Sequence, residues 1–61
     1  MKRESLLRHL RREGCYFKRE GNRHFLWCNP GTGAIETVHR HAEIPEKLAG
    51  KICRGLGIAK V

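Results

Sequence analysis

The sequence predicts an α+β fold of two layers in the order α-β-β-β-α, with a three-stranded antiparallel sheet and both helices on one face. Three observations predict it. Apolar residues at helical spacing occur only in the first and last quarters of the chain. Between them lie three short segments rich in aromatic or β-branched residues, each bounded by turn formers. The links between those segments are short, which joins neighbouring strands as antiparallel hairpins. A three-stranded sheet has two faces, so placing both helices on one leaves the other to water.

Lys2 to Glu13 is expected to be helical. Leu6, Leu7 and Leu10 form one narrow apolar stripe, and Arg8, His9, Arg11 and Arg12 fill the other faces. Gly14 is the expected stop, with Arg11 and Arg12 in the last turn, where cations suit the helix dipole. Those arginines read either as a solvated face or as a surface that tracks phosphates. Cys15 to Arg19 is the first strand and Glu20 to Arg23 a turn. His24 to Cys28 is the second strand, and Asn29-Pro30-Gly31-Thr32-Gly33 is a tight connection. Ala34 to Val38 is the third strand, and His39 to Ala42 a polar link. Pro45 suits the first turn of a second helix, where its missing N–H costs nothing. Leu48, Ile52 and Leu56 recur at every fourth position and define that helix's buried stripe. Gly50 and Gly55 each weaken it by roughly 1 kcal/mol relative to Ala. Gly57 is the expected stop, and the last three residues are expected to fray.

Sixty-one residues make a single domain, 1–61. A chain this short buries only roughly 60% of its extended surface. That leaves no room for a deep cofactor cavity, so no cofactor is expected and any site is a shallow cleft or a flat face. Thirteen Lys and Arg against six Glu, with no Asp, give a net charge of +7. Such a field favours polyanions, nucleic acid before an acidic membrane or protein surface. Cys15, Cys28 and Cys53 are odd in number and form no CxxC pair, and no signal peptide is read before them. They are expected to be reduced thiols of a cytoplasmic protein. No apolar run approaches the roughly 18 residues that a membrane span requires.

Strand alternation puts His24, Leu26 and Cys28 on one face and Phe25, Trp27 and Asn29 on the other. With Leu26 taken as a core residue, His24 lies at the rim on the helix side. There an imidazole keeps solvent access and can act as a general acid or base; a structural histidine is the plainer alternative. Phe25 and Trp27 then fall on the open face. They could stack unpaired bases, anchor a partner protein or simply pack on the sheet. His39 and His41 share a side of an extended segment, so both could face one anion or one metal. A zinc site needs two further ligands, and His24 and Cys28 cannot both serve, being roughly 13 Å apart along a strand. No metal is therefore expected. Gly31-Thr32-Gly33 is hairpin chemistry and not a phosphate loop, and the lack of Asp rules out a Ser-His-Asp triad.

Taken in order, these features resemble the HicA toxin family of prokaryotic toxin–antitoxin modules. The resemblance rests on the helix–strand–strand–strand–helix order, the Gly21 turn leading to His24, Trp27 three residues on, and Asn29-Pro30 closing the strand. Thr37-Val38-His39-Arg40-His41 and Glu43-Ile44 resemble the family's segment before its second helix. Lys51 to Ile58 resembles its closing helix and stop. Two positions depart from the family pattern: the turn between Gly21 and His24 is one residue longer, and His39 stands where the family usually has Pro.

The resemblance implies a fold like the double-stranded-RNA-binding domain. It implies a metal-independent endoribonuclease that cleaves mRNA, with a HicB-like antitoxin covering its active site. It maps the catalytic histidine onto His24. The expected RNA contacts are Lys18, Arg19, Arg23, Arg40, His41 and Lys51, with Phe25 and Trp27 as expected partner contacts. A non-catalytic RNA-binding or antitoxin-binding module is the alternative that the same charge and fold would serve.

Overall fold

The computed structural model describes residues 1–21 and 24–60. The expected contribution of Arg23 lies outside the described residues. The elements are α1 (Arg3–Arg12), β1 (Tyr16–Glu20), β2 (Phe25–Asn29), β3 (Ala34–Val38) and α2 (Glu46–Leu56), with the sheet ordered β1-β2-β3 and antiparallel throughout. The α+β order is the expected one, and strand limits differ from expectation by at most one residue. Gly14 and Gly57 follow the two helices with φ of 92° and 72°, the left-handed geometry that ends a helix where a Cβ would be strained.

Leu6, Leu7 and Leu10 from α1 share one core with Ala49, Ile52, Cys53 and Leu56 from α2. Trp27, Val38, Cys15 and Ile44 complete it. Both helices therefore cover the sheet face that carries Trp27 and Val38. This reverses the expected faces. Alternation along β2 holds, but Trp27 is 2% exposed and lies in the core, with Phe25 packed beside it, so Trp27 is not a contact on an open face. Leu26 and Cys28 point the other way. Cys28 lies in register with Tyr16 and Ile35, and both of these neighbours are exposed. The physical reason is area: an indole buries roughly 150–250 Å², well beyond what Leu26 offers, so the hydrophobic gain decides which face goes inward. The Trp27 indole N–H has no acceptor among the described residues, and the Arg11 guanidinium lies 5.3 Å from the ring centroid.

Lys18 is an extra residue in β1, since Phe17 stands opposite Trp27 and Arg19 opposite Leu26. This bulge keeps Phe17 on the helix side, 6.1 Å from Trp27 and 5.9 Å from Phe25 between ring centroids. Arg19 goes to the open face.

Two side chains stitch distant segments together. Asn29 donates from Nδ2 to the Leu56 carbonyl at 2.6 Å and accepts from Gly31 N–H at 2.9 Å. It ties the end of β2 to the last turn of α2 and supplies one of the carbonyl partners a helix end lacks. His9 is buried, contrary to the expected outer position, and its Nε2–H donates to the Ala59 carbonyl at 2.7 Å. Ala59, expected to fray, is held by that bond.

Candidate active site

The β2–β3 ladder builds the site. Its last pair is Phe25 opposite Val38. One further step in the same register sets His24 opposite His39. The imidazoles meet there with centroids 5.7 Å apart and planes at 72°. Gly21 N–H donates to the His24 carbonyl at 2.6 Å and closes the β1–β2 turn around it. His24 is exposed and lies just before β2; His39 is half-buried. His41 continues the group, 6.0 Å from His39.

Cations surround these rings. Arg3, at the start of α1, donates from Nε to the His39 carbonyl at 2.6 Å, which fixes the backbone that carries the imidazole. Its guanidinium carbon lies 4.9 Å from the Phe25 centroid, and that of Arg40 lies 5.7 Å away. Both are within cation–π range, so Phe25 orients two guanidiniums beside the histidines. The chain before α1 is pinned to the same loop. Arg3 N–H donates to Ala42 at 2.8 Å, Ile44 N–H donates to Met1 at 2.8 Å, and Lys2 bridges Glu43. A cleft of about 360 Å³ lined by Lys2, Arg3, Glu4, Arg40, Ala42 and Glu43 adjoins the cluster. A larger cleft, about 540 Å³, lies between α2 and Lys60. No histidine lines it, so it does not compete as a site for acid–base chemistry.

The expected residues divide as follows. His24, Arg40, His41 and Phe25 come together. Phe25 is half-buried and serves as the ring on which Arg3 and Arg40 rest. Lys18 and Arg19 stand exposed on β1 and Lys51 on α2, and among the described residues no ring or hydrogen-bond contact links them to the histidines. Two features were not anticipated from the sequence, the pairing of His39 with His24 and the presence of Arg3. The pairing was legible from hairpin register, one step past Phe25 and Val38. Arg3 had no local signal, because its place depends on contacts 36 residues away. Among the described residues, no group of three or more His, Cys, Asp or Glu side chains is placed to hold a metal ion.

All three cysteines are buried. The Cys15 thiol is pushed up from its ordinary pKa, first by desolvation and then by Cys28, Cys53 and Glu13. A neutral thiol is a poor nucleophile. Tyr16 is likewise pushed up, chiefly by its hydrogen bond with Cys28.

A small α+β domain with an exposed imidazole at the end of a hairpin ladder, ringed by arginines, defines a basic protein with an anion-receptive face. The chain belongs to the HicA toxin family of bacterial toxin–antitoxin, whose family model matches residues 3–58. No curated protein and no solved structure matches it. Among the described residues, no helix is long and apolar enough to cross a membrane.

Proposed function

We propose that this toxin is an endoribonuclease that cleaves mRNA in the cytoplasm by way of the ribose 2′-OH. The observation that carries the reading is the exposed His24 imidazole, set beside His39 with Arg3 and Arg40 on the Phe25 ring next to it. His24 exchanges a proton with a reacting oxygen, either removing it from the 2′-OH or giving it to the leaving 5′-oxygen. The 2′-oxygen attacks the adjacent phosphorus, so the nucleophile is supplied by the substrate and no metal-activated water is required. Arg40, Arg3 and His41 face the charge that grows on the phosphorane oxygens, the term that usually contributes most in such reactions. Lys18 and Arg19 on β1 and Lys51 on α2 add to the positive field, and Arg23 adds its charge. One positioned acid–base group contributes roughly 10²- to 10⁴-fold. The regulatory partner is an antitoxin of the HicB type that covers the histidine cluster, with acidic groups meeting Arg3 and Arg40.

The test is incubation with single-stranded RNA in EDTA, wild type beside His24→Ala, with the 2′-deoxy strand as control. The expected result is cleavage of RNA alone, ending in a 2′,3′-cyclic phosphate, and its loss in the variant. Retarded but intact RNA with wild type would instead identify a binding module.

A further inference from the structure

We infer that His39 is a second catalytic residue and that His24 and His39 divide the acid and base roles between them. The inference rests on the ribonuclease reading above and deepens the same site.

A transesterification at phosphorus needs two proton transfers on opposite sides of the phosphorane. One proton leaves the 2′-OH as the 2′-O–P bond forms. Another arrives at the 5′-oxygen as the P–O5′ bond breaks. The products are a 2′,3′-cyclic phosphate and a 5′-OH, and the two histidines end with exchanged protonation states that solvent resets. No further reactant is required. A lone histidine would have to serve both oxygens or leave one to water.

The structure holds the second imidazole in place by three independent features. The β2–β3 register sets His39 directly across from His24. The Arg3 Nε–H bond to its carbonyl, 2.6 Å, fixes its backbone from α1. The two rings meet edge to face, with centroids 5.7 Å apart and planes at 72°, so both lie within reach of one phosphate group. The groups packed around His39 are Arg3 from α1, His24 from the mouth of β2, and Arg40 and His41 from its own loop. All are cationic or become so on protonation, which suits an anionic substrate lying across the two rings.

The experiment compares wild type, His24→Gln and His39→Gln on a ribodinucleotide and on a ribonucleoside 3′-aryl phosphate, whose phenolate leaves without a proton. The expected wild-type kcat/KM profile is a bell. His39→Gln should retain its circular dichroism spectrum, lose about 10²-fold or more on the dinucleotide, and lose one limb of the bell. One of the two variants, the one lacking the acid, should recover most of its rate on the aryl ester, and the other should not. A bell with both limbs intact in His39→Gln overturns the inference while leaving the ribonuclease reading in place. Recovery by both variants, or by neither, overturns it in the same way. Wild type inactive on both substrates overturns the two together. A measurement independent of rate uses wild type and an unreactive 2′-deoxy oligonucleotide. Both His24 and His39 ring proton signals should shift on binding, and a shift confined to His24 counts against the pair.

Discussion

Replacement of Asn29 by Asp should be a strongly destabilising isosteric change. The two hydrogen bonds of the side chain fix its orientation: only an oxygen can accept from Gly31 N–H, and only an NH₂ can donate to the Leu56 carbonyl. Asp keeps the first contact and puts a second oxygen where the NH₂ stood, against a carbonyl now 2.6 Å from a donor. The lost bond is worth about 1 kcal/mol, and leaving the acceptors unsatisfied costs about 1–3 kcal/mol more. Against a total stability of about 3–9 kcal/mol for 61 residues, a loss of about 2–4 kcal/mol is large. The midpoint should fall by roughly 10–25 °C, read by circular dichroism on wild type and variant together. The pH dependence carries the sign. The carbonyl opposes ionisation in the folded state, so the introduced carboxyl has a raised folded pKa. The deficit is therefore full above the raised folded pKa and shrinks as pH falls from there to the unfolded value of about 3.9, where the protonated carboxyl can donate to Leu56. A midpoint within roughly 3 °C of wild type at pH 7 would refute the reasoning. So would a deficit that stays constant relative to wild type down to pH 3.

Arg3→Ala removes the bond to His39 and one cation from the Phe25 ring; it should destabilise by about 1–3 kcal/mol in urea titrations and lower RNA cleavage, and unchanged stability would show that the 2.6 Å contact is idle. Gly55→Ala should fail to deliver the roughly 1 kcal/mol that Ala usually contributes in a helix, because its Cβ would meet the Glu36 side chain; in the Glu36→Ala background the gain should return, and additive effects would count against the contact. Because burial raises the Cys15 pKa in the fold, the unfolded thiol ionises first, so stability is full below about pH 8.5 and declines as pH rises through the thiol range. A Cys15→Ala variant should show a flatter decline between pH 8 and 10, and parallel curves would sink that assignment.

The elements were legible because their signals are local. The leucine stripe of α1, the Leu48-Ile52-Leu56 spacing of α2 and the glycine stops are properties of neighbouring residues, and Ala34–Val38 is β3 as expected. Which face of the sheet turned inward was not legible in the same way. Alternation gives the parity of side chains and leaves the sign open, and Leu26 was an adequate core residue on its own. The choice is made by the sum over β2 and β3, where Trp27, Phe25 and Val38 together offer more apolar surface than Leu26 and Cys28 do. His24 was legible by its place at a strand mouth. His9 was not, because its partner is the Ala59 carbonyl 50 residues on.

The site and the core hang on one register. The ladder that brings His24 opposite His39 also turns Trp27 toward the helices, and a slip of one residue sends every side chain of a strand to the other face. The turn from Asn29 to Gly33 is therefore a ruler. A length change in it that slipped the ladder by one would turn the indole outward and part the imidazoles in the same event, so such a variant would lose the fold and the site together.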